Sequence, residues 1–167
     1  PIDGAGGFAS PTRGVIGGGR NPDSGSIGIN QIQSITIASK GNAVNDGELT
    51  QRRKNIGGLS NTTRGVFSGG RDGAAGVQFS TIDFVTIASL GDATDFGNLT
   101  FTGAYGASAS SQTRGVTALG RNSPANLNMI DYITIATTGD AQDFGDLTIT
   151  RYALGGLSDS HGGLGGF

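Results

Sequence analysis

Residues 82–89, IDFVTIAS, return almost unchanged as IDYITIAT at 130–137 and in a drifted form as IQSITIAS at 32–39. A sequence that repeats at a fixed period reads as a stack of one supersecondary unit, which limits the folds open to it more than any other feature here. The repeat extends beyond this string. Residues 6–15, GGFASPTRGV, align with GGLSNTTRGV at an offset of 51, and a third Thr-Arg-Gly-Val stands at 113–116, 50 residues beyond the second. Each unit runs in one order: Thr-Arg-Gly-Val, a short segment ending at Arg20, Arg71 or Arg121, a variable loop, the Ile-Thr-Ile-Ala string, a glycine with an acidic turn, Leu-Thr, and a Gly-rich apolar segment. The units fall at about 6–57, 58–106 and 107–157 within a single repeat domain, 1–167, and residues 158–167 are expected to form a Gly-rich terminal strand.

Each unit reads as four short strands, and the chain as all-β. The Ile-Thr-Ile-Ala copies are β-branched and aromatic and are bounded by turn formers. In the second copy Ile82, Phe84, Thr86 and Ala88 share one face, and Asp83, Val85 and Ile87 share the other. Apolar residues on both faces imply protein packed against both sides of the sheet. Strands beginning at Val15, Val66 and Val116 end on Gly18-Gly19, Gly69-Gly70 and Leu119-Gly120. A third strand is expected to start at Leu49-Thr50, Leu99-Thr100 and Leu147-Thr148, and a fourth at 153–157 and its equivalents. No dozen residues keep a helical period.

Composition removes several function classes. With 11 Lys+Arg against 13 Asp+Glu, a net charge of -2 and no basic run, nucleic-acid binding by phosphate neutralisation is not expected. No cysteine and one histidine exclude disulfides, thiol catalysis and Cys/His zinc sites. No apolar run approaches a membrane span, so insertion is not expected. The 32 glycines follow no three-residue period and read as turns and close contacts, each costing backbone entropy that dense packing must offset. The chain begins at Pro1 rather than Met, as expected of a processed chain or part of a longer one.

The order of strand, Gly69-Gly70, loop, Ile-Asp-Phe-Val-Thr, turn, aromatic and Gly-rich strand resembles the kelch repeat. Phe84 and Tyr132 stand where that family carries its tyrosine, and Phe96 and Phe144 near its usual tryptophan. Asp46 in the first unit and Leu119 in the third depart from the pattern. The wording around Thr-Arg-Gly-Val and Thr-Ile-Ala-Ser also resembles kelch-like repeats in tail-associated structural proteins of bacteriophages, over residues 6–160. The resemblance implies β-propeller blades in a non-enzymatic virion protein: a tail fibre, tail tip or surface decoration that presents loops to host polysaccharide or protein. It also implies a homo-oligomer, in contact with other virion proteins, on an extracellular particle. A bacterial surface adhesin or fibre subunit assembled by strand donation is the alternative function, and a three-sheet β-prism the alternative fold. Propellers close with about four to eight blades, so three units are expected to be completed by other chains or by further sequence. The terminal strand is expected to pair across a subunit boundary.

No catalytic, cofactor or metal residues are assigned. Asp92, Asp95, Asp140 and Asp143 have spacings that could feed oxygen ligands to calcium, but Asp92 and Asp140 are expected to cap turns while Phe96 and Phe144 fill the space between units. Asp95-Phe96-Gly97 matches the kinase metal-binding triplet by letters alone, without its context. Gly17-Gly18-Gly19, Gly57-Gly58 and Gly69-Gly70 lack the lysine-serine pair of a phosphate loop. Two sets of arginines, Arg13, Arg64 and Arg114 with Arg20, Arg71 and Arg121, suit an anionic sugar. Repetition in every unit favours structural pairing with Asp83, Asp131 or loop carbonyls instead. Ser158, Asp159, Ser160 and His161 hold triad chemistry but are packed too closely to converge as one, and a carbohydrate-active enzyme is the least favoured reading. The loops at 21–30, 72–78 and 122–128 differ most between units and are the expected recognition elements.

Overall fold

The computed structural model describes residues 2–73 and 76–158, and within them every regular element is a strand except one short 3-10 turn, Pro22–Ser24. Three four-stranded antiparallel sheets follow one another, none closed on itself. The first holds β1 (Gly6–Ala9), β2 (Arg13–Gly17), β3 (Gln31–Thr36) and β4 (Val44–Glu48). The second holds β5 (Gly57–Ser60), β6 (Arg64–Ser68), β9 (Thr81–Thr86) and β10 (Thr94–Asn98), and the third β11 (Ala107–Ser110), β12 (Arg114–Ala118), β15 (Met129–Thr134) and β16 (Gln142–Asp146). Two small hairpins, β7 (Arg71–Asp72) with β8 (Val77–Gln78) and β13 (Arg121–Asn122) with β14 (Ala125–Asn126), stand in the variable loops of the second and third units.

The β-branched strings pair where expected. Val66 faces Phe84 and Phe67 faces Asp83 across β6 and β9, and β12–β15 repeats the register with Val116–Tyr132 and Thr117–Asp131. The ends of β2 and β6 are also as read, because Gly18 and Gly69 turn to φ +63°, a left-handed conformation that side chains resist. Both faces of β9 are covered: Ile82 is buried in one cluster with Leu59, Val66 and Phe96, and Val85 in another with Val15, Ile32 and Phe67.

Two strand assignments need correction. Leu49, Leu99 and Leu147 do not open a strand; the strand lies just before them, in β4, β10 and β16. Its residues, such as Thr-Asp-Phe-Gly-Asn, look like a polar turn, and they pair because the partner β9 supplies a ladder. The register skips a residue between Asp95 and Gly97, and equivalently in β3–β4 and β15–β16. Such a bulge twists the edge strand and gives Gly97 its φ of +143°. Residues 153–157 form no strand, although the equivalent segments Gly57–Ser60 and Ala107–Ser110 are the opening strands β5 and β11.

The sheets meet through these opening strands: β1 packs on β5 and β5 on β11. Close approach explains the glycines. A Cβ on Gly58 would fall inside the backbone of Gly7, one on Gly65 would enter the Phe8 ring, and one on Gly17 would lie 2.6 Å from Phe67 Cζ.

Candidate functional site

Successive units are joined by one set of polar links. Thr50 at the exit of the first unit donates its N–H (3.2 Å) and hydroxyl (2.7 Å) to the Asp83 carboxylate of the second. Thr100 repeats this to Asp131 of the third, at 2.8 and 2.7 Å. Both carboxylates are buried. Asp83 has a third donor, Arg53 Nη2 at 2.6 Å, and both side chains of this pair are fully enclosed. Arg53 Nη1 donates to the carbonyls of Gly69 and Thr81. Burial pulls the guanidinium below its ordinary range, and Asp83 opposes that pull. Gly103 occupies the place of Arg53 at the next junction, since their N–H groups bond Ile29 O and Phe79 O in equivalent fashion.

The turn aspartates serve the same junctions. Asp92 Oδ1 accepts the Glu48 N–H at 3.0 Å and Asp140 Oδ1 the Asn98 N–H at 2.8 Å, so each caps the preceding unit's last strand rather than its own turn. Phe96 fills the space between units as expected, but Phe144 is exposed. Among the described residues no three carboxylates or imidazoles gather as a metal shell.

Two members of the first arginine set bind backbone across a junction. Arg13 Nη1 donates to Ile87 O and Arg64 Nη1 to Ile135 O and Ala136 O, each in the following unit. Arg64 and Arg114 lie over the rings of Phe84 and Tyr132 at 4.5 and 4.6 Å. Asp83 is paired instead by Arg53, which was not among the residues expected to pair; its counterparts are Gly103 and Arg151, so the repeat carries only a broken signal for it.

In the second set Arg121 lies over the Tyr152 ring at 5.5 Å, whereas Arg20 and Arg71 line a cleft of about 460 Å³ beside the loops of the first two units, together with Asp3, Ser26, Lys54 and Tyr105. Backbone bridges Asp3–Arg20 and Lys54–Arg71 place these side chains. Arg20 Nε and Nη2 grip the Asp3 carboxylate at 2.7 and 2.8 Å. That bond holds the Asp3 carboxyl below the usual range, against slight desolvation, and raises Arg20. Lys54 is buried and donates Nζ to Ser26 O at 2.7 Å. Desolvation, then the neighbouring charges of Arg20 and Arg71, lowers its ammonium. Arg71 Nη1 donates to the Tyr105 hydroxyl at 3.1 Å. Arg20, Lys54 and Arg71 outnumber Asp3 and the nearby Asp72, which also acts on Lys54, so in a chain of net charge -2 this cleft is locally positive. Its chemistry suits an anion.

Ser158 is described, in hydroxyl contact with Ser110, whereas Asp159, Ser160, His161 and most of the terminal strand expected at 158–167 lie outside the described residues. No protein-family model matches the chain, and no curated protein matches it. The fold and its junctions define an all-β repeat protein of stacked antiparallel sheets.

Proposed function

We propose that the chain is three blades of a kelch-like β-propeller acting as a non-enzymatic structural and attachment module of an extracellular particle, whose loops and basic cleft engage acidic surface polysaccharide. One observation carries the reading. The junction bonds recur unit after unit, while the loops at 21–30, 72–78 and 122–128 take different forms, a 3-10 turn in the first and hairpins in the others. A fixed frame with varied loops is suited to presentation. Opening strands that neighbour one another across successive sheets support the propeller. The resemblance to phage tail-associated repeats supplies the virion as the particle, with a tail fibre, tail tip or decoration as its place.

The test is retention of the protein on immobilised acidic and neutral bacterial polysaccharides. Salt-sensitive retention on the acidic set, weakened about tenfold by Arg20→Ala or Arg71→Ala, is expected for the loss of one charge-assisted bond. Equal retention on both sets, or none, overturns it. Gold-labelled antibody against the protein should decorate phage particles. A bacterial fibre subunit is the second reading, favoured by the segment 153–158, which lies beside β11 without being a strand itself: the Ala153 N–H bonds Tyr105 O as the Tyr105 N–H bonds Asn55 O, and Gly156 lies against Ser108. Label on cell-surface fibres would select it.

A further inference from the structure

Homologous positions meet unequal surroundings at the two ends of the chain. By register, Ile16, Phe67 and Thr117 share one position in β2, β6 and β12, and Ile35, Val85 and Ile133 share one in β3, β9 and β15. In the second and third units these positions are buried against the preceding unit; in the first, Ile16 and Ile35 are exposed. Ile87 is 3 % exposed and its counterpart Ile37 53 %. The far end mirrors this: Phe96 is 2 % exposed beneath the third unit, and Phe144, its counterpart, is 52 %. The two uncovered faces are therefore the two halves of an interface that the chain already forms twice.

Their details match. At the first junction Gly17 leaves room for the Phe67 ring, and at the second Ser68 and Thr117 share a hydroxyl contact of 3.2 Å. The third pairing in this series is Ala118 with Ile16, small against large and apolar against apolar. Phe8 covers Gly65 and Leu59 covers Gly115, whereas Gly14 meets only its own Ile35; the remaining member of the covering series is Ala109. Thr50 and Thr100 reach Asp83 and Asp131, leaving Thr148 for Gln33, whose amide offers an acceptor and a donor. Arg151 holds the place of the buried Arg53, because its N–H bonds Leu127 O as that of Arg53 bonds Ile29 O, yet it is exposed. The groups awaiting it are the carbonyls of Gly18 and Gln31, equivalent to those of Gly69 and Thr81 that Arg53 uses.

We propose that a second copy of the chain seats the face of its third sheet on the face of the first, and reciprocally, so that two chains close six sheets into one ring. A head-to-tail interface closes or polymerises; six sheets fall within the propeller range and nine do not. The number two thus rests on the propeller reading, while the interface rests on the exposed faces alone. Residues 155–158 occupy the slot that the arriving β1 needs: Gly156 lies against the Ser108 backbone as Gly58 lies against Gly7. This tail gives way, for Leu157 is almost wholly exposed, whereas β1 is held by four register pairs to β2 and by Phe8 packed 4.9 Å from Phe67. It is a strap that weakens the closure.

Sedimentation equilibrium and native mass spectrometry test this at concentrations up to about 100 µM, a range that detects even weak pairing. The expected mass is twice the 16.7 kDa chain. A chain ending at Tyr152 should pair about tenfold more tightly, as for one weak competing contact removed. Ile35→Asp and Phe144→Asp, both at exposed positions, should each sediment as monomers with unchanged circular dichroism. Mixing these two variants should restore an open pair through the one intact interface, which a self-complementary contact would not do. The proposal is overturned if the full and shortened chains are both monomeric, if pairing survives both substitutions, or if the product is an open polymer. Polysaccharide retention on the loops can fail without touching any of these results.

Discussion

Asp83→Asn changes one oxygen for nitrogen at a fully enclosed side chain. Asp83 accepts from Thr50 N–H, Thr50 hydroxyl and Arg53 Nη2. The amide keeps the shape but turns a donor toward a donor and leaves the Arg53 charge uncompensated, and breaking a buried pair in this way costs about 3–5 kcal/mol. The molecule contains its own control. Asp131 accepts the same two bonds from Thr100, with Gly103 where the arginine stood. Asp131→Asn should therefore cost only the weakened charge-assisted bonds, about 1–3 kcal/mol. Against a total of roughly 5–15 kcal/mol, and at about 2–4 °C per kcal/mol for a chain of this size, Asp83→Asn should lower Tm by roughly 6–20 °C and Asp131→Asn by roughly 2–12 °C. Urea midpoints at constant m measure the difference directly. Arg53→Met with Asp83→Leu should recover only part of the loss: apolar replacement of a buried pair is often neutral, but here it also removes the acceptor of the two Thr50 donors. Equal losses in Asp83→Asn and Asp131→Asn would refute the argument that Asp83 neutralises a buried guanidinium.

Other outcomes follow from the same contacts. Gly65→Ala pushes a methyl into the Phe8 ring and should cost about 1–3 kcal/mol or more; Gly14→Ala, facing only the half-exposed Ile35 side chain, should stay within about 0.5 kcal/mol in urea titration. Asp92→Ala and Asp140→Ala should each cost about 1 kcal/mol by removing a cap on the neighbouring strand, and melting should be indifferent to calcium or chelator; a calcium-dependent rise of several degrees would revive the metal reading. Carboxyl NMR should find Asp3 titrating below the usual range, and near it in Arg20→Ala. Because that carboxyl is depressed in the folded state, its contribution to stability is present above the ordinary value and is lost as pH falls through the folded one, and being exposed it should fade with salt.

Some of this was legible in the sequence for local reasons. A repeated β-branched string bounded by turn formers specifies strands wherever it occurs, so β3, β9 and β15 lie where the strings are, and apolar residues on both sides of the second string announced that both faces of β9 would be covered, whereas β3 leaves Ile35 and Ile37 exposed. The last strand of each sheet was not legible. Thr-Asp-Phe-Gly-Asn has the composition of a turn, and it becomes a strand only because β9 offers a ladder and Gly97 absorbs a bulge. Arg53 was invisible for a related reason: its importance lies in being enclosed beside Asp83, and enclosure belongs to the neighbours rather than to the residue.

The one-dimensional pattern by itself determined that three homologous β-units stand in a row, because propensity and periodicity act over a few residues and survive any environment. Tertiary structure alone decided which members of each homologous set are interior. Ile87 and Ile37, Phe96 and Phe144, Arg53 and Arg151 are matched by position yet differ in burial. The hydrophobic effect acts on area removed from water, and only the stacking of one sheet on the next removes it.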